Sequence, residues 1–221
     1  FSSSEVYGDP DRNNIPTSET YRGNVSSIGP RSCYDEGKRA AETLMFDFHR
    51  QHQVDVKVAR IFNTYGPNMH PFDGRVVSNF ICQALAGDDL TIFGDGTQTR
   101  DFTFITDAVN AIITAVESDV SGEIINIGSD NTYSINRLVE LIDSEVVYIP
   151  KRPGEPDCTF ADVSKINRML GWKAKVSLEE GVQQMLDRLE DWRDAPVWNP
   201  ETIQQATSKW FQYLGDKVTN I

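Results

Sequence analysis

Cysteine is scarce and unpatterned. Cys33, Cys82 and Cys158 are the only three, no CxxC exists, and three histidines are scattered along the chain. This excludes a disulfide framework and offers no zinc-ligand spacing, so no metal is expected and a reducing, cytoplasmic compartment fits best. Positive charge is short as well: 21 Lys and Arg against 33 Asp and Glu leave a net charge of −12. That balance argues against a nucleic-acid binder and against attachment to an anionic membrane. An anionic substrate must then be met by locally placed cations. No apolar run approaches the roughly 18 residues that a spanning helix needs. Internal repeats and low-complexity tracts are also missing.

What is present is ordinary globular material. The chain has 221 residues, 39% hydrophobic and 10% aromatic, enough for one large domain or two small ones around a real core. "FSSS" reads as the end of a strand and is followed by a polar loop to about Pro30. Residues 31–53 read as a helix whose apolar face is Ala40, Ala41, Leu44, Met45 and Phe48, with Glu42 set to oppose Lys38 one turn away. "VDVKVARIF" reads as a buried strand, "NTYGPNMHPFDG" as a loop, and "RVVSNFICQALAG" as a helix ending at Gly87. "LTIFGDGTQTRDFTFI" reads as two short strands around a glycine turn, then a helix capped by Thr106. "GEIINIGS" and "VVYIP" read as strands, and "SINRLVELI", "ADVSKINRML" and the Ser177-capped "SLEEGVQQMLDRLEDW" as helices. Strands alternating with helices give an α/β fold with a parallel sheet, although too few strands precede the candidate site for a complete doubly wound sheet.

Tyr34 and Lys38 stand four apart on the first helix, hence on one face. A phenol is a poor base at neutral pH because its pKa is about 10. An ammonium one turn away favours the phenolate, and a hydroxyl from Ser3 or Ser4 could relay the proton of a substrate alcohol. By spacing alone, a solvated surface pair is the better explanation of Tyr34 and Lys38. The context is more specific. "SSSEVYG", "YDEGK", "ARIFNTYGP" and "GDGTQTRDFTFITD" occur in that order, and together they resemble the extended short-chain dehydrogenase/reductase family of nucleotide-sugar epimerases, dehydratases and decarboxylases. The stretches "GPRSCYDEGKRAAETL" and "ARIFNTYGPNMHPFDGRVVSNFICQAL" are most similar to the branch that decarboxylates UDP-glucuronate. The resemblance is dense to about residue 118, looser to about 193, and absent beyond.

The resemblance implies NAD as cofactor, a UDP-sugar as substrate, and a homodimer built on the helices that begin near Pro30 and Asp107. It implies a Rossmann-like parallel sheet in residues 1–65 and 97–127, an interleaved small α/β substrate-binding domain in 66–96 and 128–193, and a helical extension in 194–221. No GxxGxxG or GxGxxG follows a strand. The chain is therefore expected to begin inside the fold, to bind NAD poorly as it stands, and to expose sheet edge.

By the same resemblance Ser3 is the hydroxyl that bonds the sugar 4-OH, Tyr34 the base, and Lys38 its partner, with Tyr34, Lys38 and Phe62 also at the cofactor. Glu5 handles a proton at sugar carbon 5, while Ser4 replaces the aspartate that 4,6-dehydratases use for loss of water. Asn63, Arg75, the backbone at Val77 and Asn79, Arg100 and Arg152 contact ribose and diphosphate, and Phe93 lies against the base. The implied activity is decarboxylation of UDP-glucuronate to UDP-xylose through a 4-keto sugar. "KRPGEPDCTFADVSK" is closer to the epimerase pattern, so a UDP-sugar 4-epimerase stays open, as does a non-catalytic remnant that binds nucleotide sugar or dimerises. Trp210, Phe211 and Leu214 sit at helical spacing in the tail, suited to packing on the body or a partner.

Overall fold

The protein, seen in a computed structural model, is described over residues 1–29, 31–70, 73–195 and 197–214. In chain order the elements are β1 (Ser2–Ser3), α1 (Ser32–His52), β2 (Lys57–Ile61), β3 (Asn63–Tyr65), α2 (Val76–Ala86), β4 (Leu90–Phe93), β5 (Thr99–Arg100), β6 (Phe102–Phe104), α3 (Ile105–Glu117), β7 (Glu123–Ile127), β8 (Tyr133–Ser134), α4 (Ile135–Ile142), β9 (Val146–Ile149), α5 (Ser164–Leu170), α6 (Leu178–Leu186) and α7 (Pro200–Leu214). Pro30, residues 215–221 of the expected extension, and the side chains of Trp210 and Leu214 lie outside the described residues.

The chain divides into two compact units: 1–64 with 100–132 and 156–176, and 65–99 with 133–155 and 177–221. Residues 156–176, which the sequence groups with the substrate domain, belong to the first unit because Ala161, Val163, Ile166 and Trp172 join its core. That core also takes Val6, Tyr7, Phe62, Ala108, Ala111, Ile125 and Ile127. It packs on a three-stranded parallel sheet in the order β1–β2–β7. Ser2 lies beside Arg60 and Arg60 beside Asn126, so a row of polar residues crosses its middle. The fold is thus α/β with parallel strands, of the Rossmann-like kind.

In the second unit β4 pairs in parallel with β9, from Leu90 beside Val146 to Phe93 beside Ile149. The Leu90 strand does not pair with its successor across the glycine turn; that successor, β5, pairs with β8. Instead, Gly94 and Gly96 hold φ of 71° and 76°, and a Cβ on Gly96 would sit 2.0 Å from Asn136 Oδ1. The turn is therefore pressed against α4, not into a hairpin. Ser177 and Glu180 close a capping box on α6, and Ser134 caps α4.

Two local expectations fail for physical reasons. α3 starts at Ile105 with no side-chain cap; Thr106 lies inside it, and Asp107 spends its carboxylate on the N–H groups of Lys175 and Val176 at 2.9 and 2.8 Å. The expected apolar core face of α1 is not buried as such: Ala40 is exposed, and Ala41 and Met45 are only half-buried. Leu44 and Phe48 are 60% and 54% exposed, while the buried side chains of this helix are Asp35 and Glu42. Glu42 does not pair with Lys38 either: it takes Arg60 from β2.

Candidate active site

The N-terminal strand hands directly to a 3-10 turn, Ser4–Tyr7. Ser3 stays extended at φ −146°, ψ 158° and caps that turn, its Oγ accepting the Glu5 N–H at 3.3 Å. The bond fixes the hydroxyl oxygen while its own proton stays available to donate. On α1, Tyr34 is half exposed, and Lys38 Nζ sits 5.7 Å from its ring centroid. Lys38 also donates to the carbonyl of Phe1 at 3.1 Å, which ties the ammonium to the residue that leads into the serine strand. Phenol and ammonium therefore share one face, and Lys38 touches β1's approach. Glu5 is ion-paired with Arg31, which also lies 3.9 Å from Asp35. Burial raises the Asp35 carboxyl above its ordinary value, against the pull of Arg31, and its Oδ1 is buried without a hydrogen-bond partner.

The remaining expected residues of the first unit lie in and around the central strands. Asn63 Oδ1 accepts the Thr159 hydroxyl at 2.9 Å. Arg100 is half-buried in β5. Phe62 is enclosed in the core against Tyr7, ring centroids 6.2 Å apart, so it packs the sheet and offers no free face to a cofactor.

In the second unit, Arg75 precedes α2 and grips Asp73, Nε donating to both carboxylate oxygens at 2.9 Å. Val77 is a core side chain; only its backbone N–H, in the first turn of α2 where no intrahelical acceptor exists, suits the expected contact. Asn79 donates to the Gly74 carbonyl at 3.2 Å, and its Oδ1 is buried without a hydrogen-bond partner. The Arg152 guanidinium lies 4.2 Å over the Phe93 ring and bonds Glu155 at 2.6 Å. The aromatic expected at the base and an arginine expected at the diphosphate thus stack on one another.

Two buried clusters escaped the sequence reading. Glu42 receives Arg60 in a forked pair, 2.9 Å from Nε and 2.6 Å from Nη2, plus the Ser2 hydroxyl at 2.5 Å. Arg60 also donates to the Tyr7 hydroxyl at 2.9 Å, and Tyr7 donates to Asn126 Oδ1 at 2.7 Å. Burial alone would raise the Glu42 carboxyl, but the hydrogen bonds from Arg60 and Ser2 hold it below its ordinary value. Burial pushes the Tyr7 phenol up to about 12 despite Arg60. The second cluster centres on Asp101, fully enclosed, whose carboxylate accepts Ser129 N at 2.7 Å, Ser129 Oγ at 2.8 Å and Ala161 N at 3.1 Å. Burial pushes it up to about 6, and those donors limit the rise. The available signal was a polar residue within or at the edge of an apolar run: Arg60 in "VARIF" and Asn126 in "IINI" inside strands, Asp101 in "RDFTF" between two of them.

Among the described residues, no group of three or more His, Cys, Asp or Glu side chains could hold a metal ion, and no helix is long and apolar enough to cross a membrane.

The chain is similar to known proteins over most of its length. UDP-glucuronic acid decarboxylase 6 of Arabidopsis thaliana is 50% identical over 190 residues, 83% of this chain and 54% of that protein. UDP-glucuronic acid decarboxylase 1 of Xenopus tropicalis is 46% identical over 191 residues, 84% of this chain and 45% of that protein. The chain spans about half the length of these curated relatives. The crystal structure of UDP-glucuronic acid 4-epimerase from Bacillus cereus, in complex with UDP-glucuronic acid and NAD, superposes with a TM-score of 0.72 at 32% identity, covering 86% of this chain and 60% of that one. The profile of the GDP-mannose 4,6 dehydratase family matches residues 1–185. The chain belongs to the GDP-mannose 4,6 dehydratase family, among the NAD-dependent epimerases and dehydratases that its motifs resemble.

Proposed function

We propose that the protein carrying this chain decarboxylates UDP-glucuronate to UDP-xylose with NAD. The observation that carries the reading is the Ser3–Ser4–Glu5 turn. Glu5 sits one residue beyond a buried serine, where a dehydratase would need an acid, so this turn suits proton handling at carbon 5 better than expulsion of water. The decarboxylase names of the relatives at 46–50% identity support it.

The donor set fits the nicotinamide–ribose end of NAD. Tyr34 is half exposed with Lys38 beside it, and Lys38 commits one of its three donors to the Phe1 carbonyl. No glycine-rich turn of the dinucleotide type occurs in this sequence to serve the pyrophosphate. When bound, NAD supplies the two-electron oxidation of sugar carbon 4 and its later reversal. Ser3 holds the 4-hydroxyl and Tyr34 removes its proton. The sugar is then a β-keto acid, and the bond from carbon 5 to the carboxylate breaks because the ketone accepts the electron pair. Carbon dioxide leaves. Glu5, released from Arg31, directs a proton to carbon 5, and Tyr34 returns its proton to the carbon 4 oxygen. By resemblance, Asn63, Arg75, Asn79, Arg100 and Arg152 are each assigned to ribose or diphosphate and Phe93 to the base; three of them are arginines, as an anionic ligand of an acidic protein requires.

A 4-epimerase is the second reading, favoured by "KRPGEPD" and by the epimerase neighbour. The outward apolar residues of α1 (Leu44, Phe48) and α3 (Val109, Ile113, Val116) support a homodimer. Incubating the intact protein with UDP-glucuronate and NAD separates the readings: UDP-xylose with carbon dioxide supports the first, UDP-galacturonate the second, and no turnover rejects both. Tyr34→Phe lowers turnover by about 10²–10⁴-fold with UDP affinity nearly unchanged; full activity in that variant removes Tyr34 as the base.

A further inference from the structure

Burial against the core is what normally seats an amphipathic helix. α1 is different: Leu44 and Phe48 face outward, Ala41, Met45 and Phe46 are only half-buried, and its two buried side chains, Asp35 and Glu42, are both acidic. Three side chains on two adjacent turns tie it down. Lys38 reaches the Phe1 carbonyl, Arg39 Nη1 donates to the carbonyls of Val6 and Arg22 at 3.0 and 2.8 Å, and Glu42 takes Ser2 and Arg60. Only the last tether is a buried, two-pronged ion pair, and a forked pair fixes direction as well as distance. Arg60 cannot shift to follow Glu42, because it is held from its other side by the Tyr7 hydroxyl, by the Glu19 carbonyl at 3.3 Å, and by the Tyr7 ring 4.8 Å away. Tyr7 is fixed in turn by Asn126 on the third strand.

Resting on the reaction proposed above, we infer that Glu42 and Arg60 are positioning residues for Tyr34 and Lys38: their fork sets the height and rotation of α1 on the sheet, and so the place of phenol and ammonium over the serine strand. The helix is the lever. Eight residues at about 1.5 Å each put Tyr34 roughly 12 Å from Glu42, so a tilt of about 10° moves it by about 2 Å, where a misplacement of about 1 Å costs on the order of 10²-fold in rate. Stability alone does not call for the pair, since buried ion pairs are often replaceable by uncharged groups at no net cost.

The test is made in the intact protein with Glu42→Gln and with Glu42→Gln/Arg60→Gln. The single variant strands a buried guanidinium and loses thermal stability; the double variant removes both charges and regains most of it. On whichever UDP-sugar the wild type consumes, kcat is expected to fall at least tenfold in both variants with KM within about threefold. Recovery of kcat together with stability in the double variant makes the pair merely structural and overturns the inference. Amide hydrogen exchange gives an answer without turnover. Residues 36–40 are expected to exchange at least tenfold faster in the double variant while Lys57–Ile61 keep their protection. Unchanged exchange at 36–40 overturns the inference on its own, whereas absence of any wild-type turnover would reject the proposed reaction and leave the exchange result to decide this one.

Discussion

The two units enclose different chemistry. Among the described residues, the first buries Asp35, Glu42, Arg60, Asp101 and Asp107 along with Ser2, Thr17, Thr103 and Asn126. The second buries Ser78, Gln83 and Thr91 and no charged side chain; its interior is Phe80, Ile81, Leu90, Ile92, Leu138, Val182, Met185 and Trp192. An apolar interior is tolerant of direction, because dispersion and area burial reward contact of any orientation. A buried ionic interior is not: every group must meet its partner at a set angle or lose its solvation uncompensated. The unit that carries Ser3, Tyr34 and Lys38 is thus the one whose geometry is fixed by directional bonds, and it is also the one whose stability should respond to pH.

The largest expected break in this contrast is Glu42→Ala. It leaves Arg60 enclosed with only Tyr7 and the Glu19 carbonyl, and should cost about 3–5 kcal/mol at pH 7. Denaturant unfolding measures it; a loss under about 1 kcal/mol would mean that Arg60 is solvated and that the first unit is no more ionic inside than the second.

Asp101→Asn comes next. One carboxylate oxygen accepts from Ala161 N and the other from Ser129 and Thr103, so an amide must turn an N–H against a donor, at a cost of about 2 kcal/mol at neutral pH. The pH dependence sharpens the case. The folded-state value of Asp101 is raised to about 6 from 3.8, so the native state holds the proton longer than the unfolded chain. Its contribution is full below about pH 4 and is lost as pH rises to about 6, up to roughly 3 kcal/mol in all. Glu42, held low, has the opposite sign: its contribution is present above its unfolded value of 4.5 and fades as pH falls below it. The wild-type advantage over Asp101→Asn should therefore shrink between pH 4 and 6 and stay level above. A gap that does not change with pH would show that Asp101 is not desolvated as its enclosure implies.

These two carboxylates also mark the limit of what the residue pattern discloses. Helices and strands with strong periodicity, such as Val76–Ala86, Glu123–Ile127 and the capping box at Ser177, stand where the pattern puts them, since local propensity and packing agree there. α1 stands where the pattern puts it along the chain, but Leu44 and Phe48 of its expected core face are exposed while Glu42 is buried. Periodicity finds an apolar stripe without saying what covers it, and here Glu42 turns inward because Arg60 waits in the neighbouring strand. Thr106 looked like a cap, and lost that role to the demand for Asp107 at Lys175 and Val176, nearly 70 residues away in sequence. Of the candidate site, the shared face of Tyr34 and Lys38 is legible because one helical turn separates them, whereas Ser3 rests on its motif alone. The Ser2–Glu42–Arg60–Tyr7–Asn126 chain was not legible, because it joins four segments that only the sheet register brings together.

Gln83 supplies the neutral counterpart in the second unit. Its Nε2 donates to Thr91 Oγ1 and to the Trp198 carbonyl at 2.9 and 2.6 Å, and its Oε1 accepts Thr91 N at 3.1 Å. Gln83→Met should cost about 1–2 kcal/mol, by leaving a backbone N–H and a carbonyl without partners. The loss should be the same at pH 5 and pH 8 in paired melts, since no titrating group takes part. A pH-dependent penalty here would erase the distinction between the units.

The smallest effect belongs to the most conspicuous ion pairs of the second unit. Arg137 on α4 reaches Glu140 at 2.9 Å and Glu179 at the start of α6 at 2.9 Å, with 42% of its side chain exposed. The bonds hold the Glu179 carboxyl below its ordinary value, yet both partners sit in water, where side-chain ordering and counter-ions offset most of the attraction. Arg137→Ala should change stability very little, and that little should vanish in about 1 M salt. The Glu42→Ala penalty, by contrast, should persist at the same salt, because ions do not reach a pair enclosed between α1 and β2. Parallel unfolding curves at low and high salt read both at once. Equal salt sensitivity in the two variants would show that enclosure, and not the mere count of ion pairs, fails to separate the two units.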